Sequence, residues 1–128
     1  MEAEELILVG LVAVGSAIGG VSRYAVTGLL SREDFPWGTF AVNFSGAFLV
    51  GLLFYFFLGR GYLSNELRTF LFVGIFGGYT TFSTFGLETV NMLREGETIL
   101  AGWNIFLNAG LCLLGAVVGA AIGVFLGA

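Results

Sequence analysis

The chain has 128 residues, of which 57% are hydrophobic and 11% charged, and its mean hydropathy is +0.95. A charged share well below the ~25% usual in soluble domains excludes a soluble globular protein and leaves a helical membrane protein, since the alternating ten-residue segments of a transmembrane barrel do not occur. The net charge of −4 is too dispersed to form a nucleic-acid surface, histidine is absent, so His-based metal sites and His–Ser catalysis are excluded, and one cysteine, Cys112, leaves no intrachain disulfide.

The opening MEAEE is acidic where a secretory signal would be basic, and no small-residue cleavage site follows, so the first apolar run is read as a retained span. A bilayer core needs about 20 apolar residues per helix. Four stretches qualify, at about 6–30, 39–58, 67–92 and 99–128, joined by the short polar connections SREDFPWG, GRGYLSN and REGE. Pro36 falls in the first connection, outside any helix interior. The predicted fold is therefore an all-α membrane protein, with 1–128 forming a single four-helix transmembrane domain.

Lys and Arg in the loops normally set orientation. Here there is no lysine; Arg32 and Arg94 flank one side, Arg60 and Arg68 the other, and Arg23 lies within a span. The balance is even, so insertion both ways up is expected alongside the alternative of a weak, unresolved bias.

Polar residues crowd one half of the membrane. The third span is about 39 Å long at 1.5 Å per residue, and its centre falls at Tyr79/Thr80. Thr81, Ser83, Thr84 and Glu88 lie toward the Arg94 loop, and only Thr69 lies the other way. In the second span Asn43 and Ser45 sit near the same side. In the fourth, Asn104, Asn108 and Cys112 recur at four-residue spacing, which puts them on one helix face that stops about halfway across. Such side chains are costly in hydrocarbon and face a partner or a water-filled cavity. A polar track that stops at mid-depth carries nothing across alone; an inverted second copy would complete it, which predicts an antiparallel homodimer. Small-residue ridges at Gly15/Gly19 and at Gly115/Gly119/Gly123/Gly127 predict close helix packing, either within one subunit or between two.

The segment GGYTTFSTFG at 77–86 lies at mid-span. Gly77 and Gly78 weaken a helix and the following hydroxyls can satisfy freed backbone groups, so the segment is either a break whose carbonyls bind a cation or a mild kink. Phe82 and Phe85 share a face, either as packing or as positive ring edges that meet an anion. Beside them the Asn43 amide brings two donors.

With GGVSRY at 19–24, PWGTFAVNFSGAFLVG at 36–51 and GGYTTFSTFGLET at 77–89, the chain resembles the Fluc (CrcB) family of fluoride channels over essentially its whole length. The resemblance implies a dual-topology antiparallel homodimer with two fluoride pores, in the bacterial inner membrane, that releases fluoride passively and protects the cell from it. It also implies a structural sodium ion on the carbonyls of Gly77 and Thr80. By the same resemblance, Asn43, Phe82 and Phe85 are pore residues; the hydroxyls of Ser83 and Thr84 are expected to line the path beside them. Asn104, Asn108 and Cys112 occupy the positions of a polar track, where this sequence departs from Tyr/Ser-containing members. Arg23 stands near the vestibule, and Glu88 either pairs with it or snorkels to water. The alternative function is a small proton-coupled multidrug-type exporter. Such exporters carry a glutamate in the first span, and this first span has no acid.

Overall fold

A computed structural model describes all 128 residues and consists of helices and their connections. Four helical segments are long and apolar enough to cross a membrane: Ala3–Leu30, Trp37–Gly59, Asn65–Arg94 and Thr98–Gly127. We label Ala3–Leu30 α1, Trp37–Gly59 α2, the helical residues 65–79 α3, Phe82–Arg94 α4 and Thr98–Gly127 α5, so that α3 and α4 share the third span. The expected all-α, four-span architecture is borne out. Three of the helices begin two or three residues before the apolar stretches; α2 starts directly after Pro36, and polar residues shape the other two ends. Ser64 Oγ accepts from the Leu67 N–H at 3.1 Å, and the Glu5 carboxylate accepts from the Glu2 N–H at 3.1 Å. The second and third connections turn at Gly61 and Gly96, whose φ values of 72° and 79° are left-handed.

α2 lies along the second half of α5, and α1 lies along α3. The glycine ridges explain how closely. A Cβ at Gly119 would stand 2.2 Å from the Phe48 carbonyl oxygen, and one at Gly123 would stand 2.3 Å from that of Leu52. Gly15 and Gly19 meet the carbonyls of Phe70 and Ile75 in the same way. Both ridges therefore serve packing within one chain.

Gly78 works likewise: a Cβ there would lie 2.8 Å from the Ser16 carbonyl oxygen on α1. Gly77 and Gly78 themselves are helical, and the extended residues are Thr80 (φ −88°, ψ 156°) and Thr81 (φ −147°, ψ 112°). The glycine pair thus provides proximity to α1, and the change of backbone direction falls on two threonines. Arg68–Phe76 in α3 and Phe106–Leu111 in α5 adopt the wider π-helical turn, which hydropathy does not register.

Only 20 of the 128 residues are buried, so most of the apolar surface faces outward, as lipid or a second chain as neighbour requires. Four of those buried residues are the polar Thr39, Thr89, Asn104 and Asn108. They lie on α2, α4 and α5 toward the end that carries Arg32 and Arg94, so the half-polar distribution is built into the interior of the chain.

Candidate functional site

Extended backbone at Thr81 turns its N–H and C=O to the same side, toward α2. There the Asn43 amide pairs with both: the Thr81 N–H donates to Asn43 Oδ1 at 2.7 Å, and Asn43 Nδ2 donates to the Thr81 carbonyl at 3.0 Å. A continuous helix would direct the Thr81 N–H at the Gly77 carbonyl, which therefore lacks its helical donor. One turn on, Thr81 acts as the N-cap of α4: its Oγ1 accepts from the Thr84 N–H at 3.2 Å and donates to Thr84 Oγ1 at 3.0 Å. That cap takes the N–H that would otherwise reach the Thr80 carbonyl.

The second Asn43 amide hydrogen goes to Asn108 Oδ1 at 2.8 Å. Asn108 Nδ2 donates to the backbone oxygen and to Oδ1 of Asn104, each at 3.1 Å. The fully buried Asn104 donates from Nδ2 to Thr89 Oγ1 at 3.0 Å, and Thr89 donates to the Phe85 carbonyl at 2.8 Å. Donors thus run in one direction from Asn43 through α5 and return to α4, enclosing the segment that carries both phenylalanines. The two donors expected of Asn43 are both held by protein acceptors, as buried amide hydrogens generally are.

Phe82 and Phe85 meet edge to face, with ring centroids 5.3 Å apart and planes at 73°. Their environments differ sharply: Phe85 is 7% exposed and Phe82 is 81% exposed, so one ring belongs to the chain's interior and the other projects from it. A groove of about 380 Å³ lies between them and α2, lined among others by Asn43, Thr80, Thr81, Phe82, Phe85 and Asn108. It brings together four of the eight predicted pore residues, Asn43, Phe82, Phe85 and Asn108; Ser83, Thr84, Asn104 and Cys112 lie outside its lining. Ser83 is exposed and lies 3.3 Å from Thr81 Oγ1. Cys112 is buried on the same α5 face as the two asparagines and makes no hydrogen bond, so it extends the face without adding polar contact.

Arg23 and Glu88 do not pair. Arg23 Nε donates to the Gly78 carbonyl at 3.0 Å, which holds α1 against the end of α3. Glu88 Oε2 accepts from Thr39 Oγ1 at 2.8 Å, while its Oε1 is buried without a partner. Geometry explains the difference, since each side chain finds a closer group on the helix beside it. Glu88 also borders a polar depression of about 600 Å³ that includes Arg32, Glu33 and Asp34 from the first connection. Thr39 and Thr89 were not singled out from sequence. Their only signal is a threonine facing an Asn or Glu on another helix, which becomes visible once helix pairing is known.

Four apolar spans around an amide-lined, aromatic-edged groove at mid-depth define a small integral membrane protein with a polar site inside its helical bundle. The chain matches the family model described as CrcB-like protein, Camphor Resistance (CrcB), over residues 10–120, and it belongs to that family. It is 44% identical to the fluoride-specific ion channel FluC of Methylocella silvestris over 120 residues, covering 88% of this chain and 90% of that one. Its identity to the FluC protein of Magnetococcus marinus is 46% over 116 residues, covering 88% and 94%. To that of Geobacter sulfurreducens it is 45% over 111 residues, covering 84% and 90%. These relatives are named as ion channels, and the family is not one of enzymes.

Proposed function

We propose that this protein is a fluoride-selective channel that lets fluoride leave the cell passively across the inner membrane. The observation that carries the proposal is the groove in which the Asn43 amide, the Thr81 segment and the Phe82/Phe85 edges converge. A small, strongly hydrated anion needs donors at close range to replace its water, and an amide hydrogen with ring-edge hydrogens supplies these without a fixed positive charge. The names of the relatives support the choice of anion. Ser83, Thr84 and Asn104 would shape the path from the Arg94 side, with Arg23 holding its entrance and Glu88 bordering it.

The working unit in this proposal is an antiparallel homodimer with two pores. The polar half of one chain would continue into the polar half of its inverted copy, and the projecting Phe82 would reach toward that copy. The third span acts as a broken helix. A structural sodium ion fits its residues: with the Thr81 and Thr84 N–H groups diverted to side chains, the Gly77 and Thr80 carbonyls are oxygen donors of the kind a hard cation takes. Sodium would supply fixed positive charge at the dimer axis, and Gly77 and Thr80 from each chain would hold it.

The test is efflux from liposomes that contain the purified protein and are loaded with fluoride or with chloride, followed by an ion-selective electrode. Fluoride release on collapsing the membrane potential, with chloride retained, is expected; retention of both anions would refute the channel.

A further inference from the structure

The direction of the amide chain is fixed at both ends by backbone groups. Asn43 must turn Oδ1 to the Thr81 N–H and Nδ2 to the Thr81 carbonyl, since the reverse would set donor against donor and acceptor against acceptor. Asn108 must turn Nδ2 to the Asn104 carbonyl, which accepts only. Asn108 Oδ1 is therefore obliged to face Asn43 and takes, at 2.8 Å, the one Asn43 hydrogen not engaged by Thr81. This hydrogen borders the groove that Asn43, Asn108, Phe82 and Phe85 line together.

We propose that Asn108 is a positioning residue whose Oδ1 stands in for the anion, holding the Asn43 hydrogen and yielding it when an anion enters. This rests on the channel function proposed above. Binding then becomes an exchange of acceptors rather than the capture of a bare donor. A charged acceptor bonds roughly twice as strongly as a neutral amide oxygen, so the exchange favours the anion, but by less than an orphaned donor would. A site of that kind fills readily and also empties readily, which conduction requires. A purely structural brace between α2 and α5 would not affect ion affinity in this way.

The experiment is single-channel recording of the full-length protein in planar bilayers, with current measured against fluoride concentration for the wild type, Asn108→Leu and Asn108→Asp. Removing the stand-in with Asn108→Leu frees the Asn43 hydrogen. The half-saturating concentration is expected to fall about tenfold, with a lower maximal current because exit slows. Asn108→Asp retains the size and the acceptor but adds negative charge, and half-saturation is expected to rise. A lower maximal current with half-saturation unchanged or raised in Asn108→Leu would overturn the proposal and make Asn108 a brace. Should Asn108→Leu fail to fold, Asn108→Asp decides: an unshifted half-saturation overturns the proposal. Absence of fluoride current in the wild type would overturn the channel function itself, whereas a conducting wild type with unshifted variants overturns only the role of Asn108.

Discussion

Replacing Asn43 by leucine tests whether one amide holds the third span in register with the second. The two side chains have nearly the same size, so the substitution removes hydrogen bonds with little change of volume. Three are lost: the Thr81 N–H to Oδ1 at 2.7 Å, and the two donated by Nδ2, to the Thr81 carbonyl at 3.0 Å and to Asn108 at 2.8 Å. Hydrogen bonds between membrane helices average about 0.6 kcal/mol, so the three come to about 2 kcal/mol. Orphaning the Thr81 N–H at mid-span sets a similar scale, since a buried unsatisfied donor costs about 1–3 kcal/mol. Reversible unfolding in mixed detergent–SDS micelles should therefore place Asn43→Leu about 2 kcal/mol below the wild type, with faster hydrogen exchange at the Thr81 amide. Asn43→Asp should be worse, because a carboxylate oxygen then faces the Thr81 carbonyl and Asn108 Oδ1; it should also abolish fluoride flux by placing negative charge in an anion path. Wild-type stability of Asn43→Leu together with unchanged exchange at Thr81 would refute the reasoning.

Three further outcomes follow from local contacts. Gly119→Val should destabilise the protein by about 3 kcal/mol in the same unfolding assay, since its Cβ would collide with the Phe48 carbonyl 2.2 Å away, whereas Gly102→Ala, with nothing within 4 Å, should be neutral or gain up to about 1 kcal/mol of helix propensity. Thr39→Val removes the only hydrogen bond to Glu88 and should cost about 1–3 kcal/mol, with Thr39→Ser restoring it. Arg23→Lys and Arg23→Met should each lower stability by about 1 kcal/mol, because both carry a methylene or methyl carbon at the position of Nε, 3.0 Å from the Gly78 carbonyl, whereas Arg23→Gln places an N–H there and should keep most of it; full stability in Arg23→Met would show that this bond does not hold α1 to α3.

The four spans were legible because hydropathy over about 20 residues is a long, redundant signal, and Asn104, Asn108 and Cys112 share a buried face because a four-residue period survives in helical backbone. Partner choice was not legible. Arg23 and Glu88 look matched in the sequence by charge and depth, yet each bonds a neutral group on the helix nearest to it, Gly78 and Thr39. That outcome depends on which helices touch, and the pairing of α1 with α3 and of α2 with α5 is set by glycine ridges whose partners periodicity cannot name. The π turns were hidden for a related reason: a wider turn alters hydrogen bonding without altering composition. Asn43 shows the gap most plainly. Its donors could be counted from the sequence, but their commitment to Thr81 and Asn108 follows from an extended backbone that exists only in the folded chain.

The polar half of the chain divides into groups that satisfy one another and groups that do not. Asn43, Asn108, Asn104 and Thr89 close their hydrogen bonds internally. What remains is the Gly77 carbonyl, deprived of the Thr81 N–H on an exposed residue at mid-span, the Thr80 carbonyl beyond it, and the projecting ring of Phe82 at 81% exposure. Lipid cannot be the neighbour of an unpaired carbonyl at this depth, because each such group costs several kcal/mol in hydrocarbon. Recovering the helical bond would take Thr81 away from both of its bonds to Asn43 and undo the N-cap of α4. Both the proposed inverted partner and the proposed cation address this same pair of carbonyls, one by covering the face and the other by neutralising the oxygens. The arrangement that leaves Gly77 and Thr80 without donors is also the one that turns Thr81 toward Asn43 and sets the first turn of α4, so the carbonyls that the proposed partner would cover and the shape of the groove proposed for the anion arise from the same two extended residues.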